Sequence, residues 1–184
     1  MGNQSIKIKQ KGFIMKKIIT SILLATLATF AITVGAVPKE VVIENENGGR
    51  IDGTTWSSSM LKDKVHIVFY VDPDEKDTNN ELSETLKAKN YDLSKFTSVA
   101  IINLAATWLP NFAIESKLAE KQKEYPDTVY VKDKKSVLVK QWELVDDSSD
   151  ILLFDKEGKL LYSFAGKLDA VEIQKVVDLI DGHI

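Results

Sequence analysis

Two almost uninterrupted apolar runs, separated by a helix-forming segment, constrain the fold most. The first is Val65–Val71 and the second covers residues 97–104. Such runs are typical of strands that are buried on both faces of a sheet. Between them lie a polar loop, residues 72–80, and a segment, residues 81–89, whose leucines fall on one helical face. A strand, helix and strand in this order predict two parallel neighbours in one sheet.

The rest of the chain supplies further strands and helices. We predict a hairpin of residues 41–44 and 50–53 before the first apolar run. After the second run we predict a helix whose first residue is Pro110, a strand at 128–131 and a short helix or turn at 133–142. A hairpin of 150–155 and 159–164 around a tight turn follows, and a last helix at 170–180 begins with an Asp169–Glu172 capping box. A βαβ unit followed by a ββα unit predicts an α/β, thioredoxin-like three-layer fold. In such a fold a central mixed β-sheet carries helices on both faces.

The N-terminus has the pattern of an export signal. Lys16 and Lys17 precede an uncharged run over residues 18–37, with small residues at Val34 and Ala36. We predict a signal peptide that starts at Met15 and is cleaved after Ala36, so that residues 1–36 are extension and signal and residues 37–184 are one domain. The predicted location is the periplasm. The alternative is an uncleaved leader that anchors the protein in the inner membrane, because the run is long enough to span a bilayer.

The charge balance argues against two classes of partner. The five lysines of residues 1–36 are accompanied by no acid, so residues 37–184 carry 19 basic and 27 acidic residues, a net charge of −8. Affinity for nucleic acid comes largely from basic contacts to phosphate. We therefore expect no nucleic-acid partner and, once the signal is removed, no membrane partner.

The sequence contains no cysteine. Disulfides, thiolate nucleophiles and cysteine-ligated metals are therefore excluded. In a thioredoxin-like domain the Cys-x-x-Cys motif would follow the first central strand, where this chain has Asp72 and the acidic loop. The second defining position, a cis-proline before the penultimate core strand, falls near Ser148 and Ser149. Both halves of a redox site are thus replaced.

Several short motifs together resemble one family. They are Trp56-Ser57-Ser58 leading to Leu61 and Lys64-Val65, then Tyr125-Pro126, Trp142-x-Leu144, Ser148-Ser149 and Asp155-Lys156-Glu157-Gly158-Lys159. Their order and spacing resemble the YtfJ family of small exported bacterial proteins over essentially the whole mature chain. The resemblance implies a thioredoxin-like fold, a periplasmic location and no established catalytic activity. The family has also been labelled a predicted transcriptional regulator, which an exported acidic domain suits poorly.

Acidic residues and tryptophans are the remaining candidates for a site. Carboxylates in the 72–77 loop could bind Ca²⁺, but the calcium-loop glycine and terminal glutamate are missing, with Ser83 in the twelfth position. A solvated loop is the favoured interpretation there, and the same holds for Asp146, Asp147 and Asp150. Of the three tryptophans we expect most to lie in the core. A tryptophan exposed near the Asp72 loop would instead indicate a partner surface.

Three functions follow, in decreasing order of support. The first is a non-redox binding or interaction module for an unknown protein or small ligand. The second is a hydrolase that uses carboxylates at the Asp72 loop, with or without Ca²⁺. The third is a DNA-binding regulator. No catalytic, cofactor-binding or metal-binding residue is assigned from the sequence, and no cofactor is expected. The candidate interaction surface comprises Asp72, Asp74, Asp77, Trp108, Ser148 and Ser149.

Overall fold

A computed structural model describes residues 31–184, so most of the predicted signal peptide lies outside the described residues. Its strands are β1 (Val42–Ile43), β2 (Gly48–Arg50), β3 (Trp56–Ser57), β4 (Val65–Val71), β5 (Phe96–Asn103), β6 (Val129–Asp133), β7 (Ser149–Phe154) and β8 (Leu160–Ala165). Its helices are α1 (Asn80–Lys89), α2 (Asn111–Glu124), α3 (Val137–Trp142) and α4 (Ala170–Asp181), with short 3₁₀ turns between elements.

Six strands form one mixed sheet in the order β2-β6-β5-β4-β7-β8. The apolar runs β4 and β5 are parallel neighbours, and β6 continues the parallel set on the far side of β5. β7 and β8 form the predicted antiparallel hairpin beside β4, and β2 pairs antiparallel with β6. The predicted mixed central sheet is therefore confirmed.

Side chains alternate across the sheet and build a core on each face. On β4, Val68 and Tyr70 join a cluster with Trp56 and Trp142, which brings in the small β1–β3 sheet and α3. Ile67 points to the other face, where it packs with side chains of α1 and α4. The buried Ile114 and Leu118 of α2 pack with Ile102 of β5 and Tyr130 of β6 in a third cluster. Helices on both faces complete the three layers that the sequence predicted.

The predicted hairpin of residues 41–44 and 50–53 is wrong. β1 pairs with β3, whereas β2 pairs with β6. Glycine explains the difference, because Gly48 has φ +124° and a Cβ there would lie 1.9 Å from the carbonyl oxygen of Lys132. The chain can approach β6 this closely only without a side chain.

Helix ends differ in detail from the predictions. α1 begins at Asn80, one residue before the predicted segment, and the side chain of the preceding Asn79 donates from Nδ2 to Ser149 Oγ (2.9 Å) and the Gly166 carbonyl oxygen (3.0 Å). Pro110 precedes the first residue of α2 rather than occupying it. At α4, half of the capping box forms: Asp169 Oδ1 accepts from the Glu172 N–H (2.9 Å), while the Glu172 carboxylate accepts from the Tyr162 hydroxyl.

The residues around the predicted cleavage position contact the domain. The Gly35 N–H donates to the Leu160 carbonyl oxygen (2.8 Å), and the Leu160 N–H donates to the Ala36 carbonyl oxygen (2.9 Å). Ile32 packs against the core cluster that contains Trp142. Over residues 31–184, no helix is long and apolar enough to cross a membrane.

Candidate functional site

The three parallel strands each end in a buried polar side chain. Asp72 follows β4, Asn103 is the last residue of β5 and Asp133 is the last residue of β6. All three are at most 3% exposed. Carboxyl ends of parallel strands lie at one edge of a sheet, where open α/β folds place their sites. The structure therefore concentrates buried polar groups at the edge that follows β4.

Asp72 contacts Ser148, so the two positions that would hold the redox site of a thioredoxin lie next to each other. The Asp72 N–H donates to the Ser148 carbonyl oxygen (3.0 Å), and Asp72 Oδ2 accepts from the Ser148 N–H (2.9 Å). The other carboxylate oxygen, Asp72 Oδ1, is buried and accepts no hydrogen bond from the described residues. Two hydrogen bonds thus join the loop after β4 to the loop before β7, and one oxygen of Asp72 remains without a donor.

Two exposed acids complete what we call the carboxylate cluster: Asp72, Asp146 and Asp147. One carboxylate oxygen from each lies within 4.8 Å of the other two. Asn103 positions Asp146, because its Nδ2 donates to Asp146 Oδ1 (3.0 Å). Asn103 is itself held by the Ser136 hydroxyl, which donates to its Oδ1 (2.9 Å).

Burial sets the electrostatics of this edge. The pKa of Asp72 is raised to about 6: burial is the main cause and the charges of Asp146 and Asp147 add to it, while the Asn103 side chain and the Ser148 N–H lower it. The pKa of Asp150 is raised to about 7, mainly by burial and slightly by the charge of Asp72, against the lowering effect of a hydrogen bond from the Val145 backbone. Both carboxyl groups therefore change protonation near neutral pH.

Asp133, by contrast, has a structural role. Its carboxylate accepts from the Tyr70 hydroxyl (3.1 Å) and from the backbone N–H groups of Lys135, Val137 and Leu138 (3.2, 2.9 and 3.1 Å). It thereby satisfies the first N–H groups of α3, which have no partner within the helix.

The predicted surface residues divide into two groups. Asp72 and Ser148 meet in the cluster, and Ser149 lies next to them, bonded to Asn79. Asp74 and Asp77 are exposed and lie outside the cluster. Asp77 instead pairs with its neighbour Lys76, which holds its pKa below the usual value.

The tryptophans also divide. Trp56 and Trp142 are fully buried, which confirms the core prediction for them. Trp108 is 87% exposed and Phe112, at the start of α2, is 76% exposed. Trp108 follows Asn103 by five residues, so an exposed aromatic side chain lies on the segment that leaves the cluster.

Sequence reasoning missed how the acids combine. It grouped Asp72 with the acids that follow it, and Asp146 with Asp150, whereas the fold pairs Asp72 with Asp146 and Asp147. It passed over Asn103 altogether. The available signal was a lone asparagine inside an apolar strand run, because a buried amide needs hydrogen-bond partners.

Chemically, the edge offers oxygen ligands and no thiol. The carboxylate cluster could hold a hard cation or a positively charged group of a partner. The raised pKa of Asp72 also suits proton transfer near neutral pH. The absence of cysteine from the sequence excludes the thiol–disulfide chemistry of redox thioredoxins.

Solved structures share the fold at low sequence identity. A Neisseria meningitidis protein described as a candidate thioredoxin matches with a TM-score of 0.57 and 15% identity, over 80% of this chain and 91% of that one. BsSco, a member of the Sco family of cytochrome c oxidase assembly proteins, matches with a TM-score of 0.55 and 14% identity, over 84% and 96%. These similarities establish the thioredoxin-like fold and nothing about activity.

Similarity in sequence leads to one family. The "Uncharacterized protein YtfJ" of Escherichia coli K12 is 27% identical over 130 residues, which cover 68% of this chain and 70% of the relative. An "Uncharacterized protein" of Haemophilus influenzae is 30% identical over 130 residues, covering 69% and 71%. The family model described as "Bacterial protein of unknown function (YtfJ_HI0045)" matches residues 31–183. The chain therefore belongs to the YtfJ family, and within it has a thioredoxin-like fold without cysteine.

Proposed function

We propose that this protein is a periplasmic, non-redox binding module whose partner is another exported protein. The observation that carries the proposal is the 87% exposure of Trp108 on the segment that leaves the carboxylate cluster. Exposed apolar surface shared by neighbouring side chains marks many protein interaction sites, and buried aromatic anchors dominate the energy of many interfaces. Phe112, at 76% exposure, adds a second apolar side chain on the same segment.

Charge complementarity defines the chemistry of the partner. Asp146 and Asp147 are exposed acids, Asp146 is hydrogen-bonded to Asn103 five residues before Trp108, and residues 37–184 carry a net charge of −8. A surface of this sign favours a partner segment that presents apolar side chains flanked by lysine or arginine. Such binding should weaken as salt is added, because exposed charges are screened.

Two further facts support the proposal. The leader pattern around Lys16, Lys17 and Ala36 favours export, and a domain without thiols can work in an oxidising compartment without forming disulfides. At the position that holds the redox site in thioredoxins, this chain has Asp72 beside the exposed Asp146 and Asp147 in place of thiols. A fold can keep its binding edge when its catalytic groups are lost.

Capture experiments with matched variants test the proposal. Residues 37–184 are immobilised as wild type, as Trp108→Ala with Phe112→Ala, and as Val171→Ala, which removes an exposed apolar side chain from α4. Each protein captured from periplasmic extract is then purified and its affinity measured at low and high salt. We expect the double variant to bind at least about tenfold more weakly, while Val171→Ala is unchanged.

Two results would count against the proposal. One is a loss of binding in Val171→Ala as large as in the double variant, since that would indicate nonspecific hydrophobic binding. The other is full retention of binding in the double variant.

The raised pKa of Asp72 favours a second candidate function, a carboxylate-based hydrolase. A carboxyl group with a pKa of about 6 can exchange a proton with substrate near neutral pH, and two further carboxylates lie within reach. Ca²⁺ could assist such a reaction or be dispensable.

Turnover of chromogenic ester, phosphate and glycoside probes tests this second candidate. Wild type is compared with Asp72→Asn and with Asp74→Asn, which changes the same charge outside the cluster. A hydrolase of this kind loses at least about a hundredfold in rate in Asp72→Asn only. Equal rates in all three proteins would eliminate it.

A further inference from the structure

We propose that Asp72, Asp146 and Asp147 form a binding site for Ca²⁺, which joins the loop after β4 to the loop before β7. This site is not the loop that the sequence suggested, since Asp74 and Asp77 take no part in it. The inference is independent of the partner protein, because the ion would bind the isolated domain.

The spacing of the carboxylates fits one ion. The three oxygens lie within 4.8 Å of one another. Ca²⁺ binds oxygen at about 2.3–2.6 Å, so ligands on opposite sides of one ion are about 5 Å apart. Mg²⁺ demands near-ideal octahedral geometry and gives up its waters reluctantly, whereas Ca²⁺ accepts irregular oxygen coordination. Carboxylates that come from two different loops therefore suit Ca²⁺ better.

Asp72 provides an independent indication of a ligand. Its side chain is 3% exposed, and Oδ1 is buried without a hydrogen-bond donor among the described residues. Asn103 lies close enough to lower the pKa of Asp72, but the hydrogen bond of its amide goes to Asp146. A buried carboxylate oxygen without a partner is costly, and native structures rarely retain one. Oδ2 is already used by the Ser148 N–H, so Oδ1 is the oxygen left for an ion.

The supporting contacts orient the cluster. Asn103 donates to Asp146 Oδ1, and Ser136 holds Asn103 from behind. Metal ligands are characteristically fixed by such a second layer of hydrogen bonds. Asp146 can still bind an ion through its second oxygen. The exposed positions of Asp146 and Asp147 leave room for water to complete the coordination of Ca²⁺.

Calorimetric titration of chelator-treated residues 37–184 with CaCl₂ tests the site. We expect one Ca²⁺ per chain with a dissociation constant on the order of 10⁻⁴–10⁻³ M or tighter, the range of extracellular calcium modules. Mg²⁺ should bind at least about tenfold more weakly. The midpoint of thermal unfolding should rise on adding Ca²⁺, because the ion binds the folded state.

A matched pair of double variants locates the binding. Asp146→Asn with Asp147→Asn should weaken Ca²⁺ binding at least about tenfold. Asp74→Asn with Asp77→Asn removes the same charge from the neighbouring loop and should leave the affinity unchanged. Because the acids changed in both variants are exposed, folding is not at risk in either.

Three results would overturn the inference. The wild type could show no Ca²⁺ binding up to about 10 mM, well above the expected range. The two double variants could lose affinity equally, which would indicate diffuse attraction to an acidic surface. Mg²⁺ could bind as tightly as Ca²⁺, which would contradict the geometry.

Discussion

Two buried aspartates at opposite ends of the sheet are treated differently by the fold. Asp155 lies at the end of β7 in the tight turn to β8, where its Oδ1 accepts from the N–H groups of Glu157 (3.0 Å) and Lys159 (2.8 Å). Asp72 follows β4 at the other end and has a buried oxygen with no donor among the described residues. Asp155 therefore stabilises the turn, whereas the unpaired buried oxygen of Asp72 destabilises the fold.

This contrast separates structural from functional acids. Asp133 belongs with Asp155, since four donors satisfy it. Asp150 belongs with Asp72, since its Oδ2 is also buried without a partner. Unsatisfied buried polar groups concentrate where a protein uses them, because elsewhere they only destabilise it.

The largest effect on stability is expected at Asp155, whose carboxylate has its hydrogen-bond donors. Asp155→Ala should lower the free energy of unfolding by about 2 kcal/mol, because two backbone N–H groups in the turn lose their acceptor. The thermal midpoint should fall by several degrees. Lys156→Ala, an exposed change in the same turn, is the control. A loss no larger than that of Lys156→Ala would place Asp155 with the unsatisfied acids.

Asp150→Asn should stabilise the protein at pH 8. The folded pKa of Asp150 is about 7, well above its ordinary value of 3.8, so folding favours the protonated form. The stability contributed by this preference is complete below pH 3.8 and is lost as the pH rises through 7.

Asparagine stays neutral, so the variant should be more stable than wild type by about 1–2 kcal/mol at pH 8, with a smaller difference at pH 5. Burial also lowers the pKa of His66, but this affects both proteins and cancels in the comparison. Denaturant titrations at the two pH values measure the difference. A difference that grows toward pH 5 would have the wrong sign.

Removing residues 31–36 should have a smaller effect. A chain that starts at Val37 loses the two backbone hydrogen bonds with Leu160, a third from the Ile32 N–H to the Trp142 carbonyl oxygen (3.3 Å), and the packing of Ile32. We expect residues 31–184 to be more stable than residues 37–184 by about 1 kcal/mol. Equal stability would show that these contacts contribute nothing.

The smallest effect is expected for the exposed acids. Asp74→Asn with Asp77→Asn should leave the thermal midpoint unchanged, because both side chains are exposed and the Asp77–Lys76 pair is solvated. A clear change would mean that the loop after β4 packs more closely than its exposure indicates.

The sequence predicted the frame of the molecule better than its site. Apolar runs identified β4 and β5 because burial on both faces leaves no polar alternation. The N-terminal pairing failed because the close approach of Gly48 to β6 depends on a distant strand. The carboxylate cluster was missed for the same reason: Asp72 and Asp146 are 74 positions apart and meet only through the pairing of β4 with β7.

The stability of Asp72→Asn at pH 8 tests the central claim, that the carboxylate cluster is retained for binding and not for folding. Asparagine keeps an acceptor for the Ser148 N–H and removes the buried charge, so the account predicts a variant at least as stable as wild type. The same variant should have lost Ca²⁺ binding. A variant destabilised by about 2 kcal/mol or more, as expected for Asp155→Ala, would show that Asp72 is structural and would contradict the account.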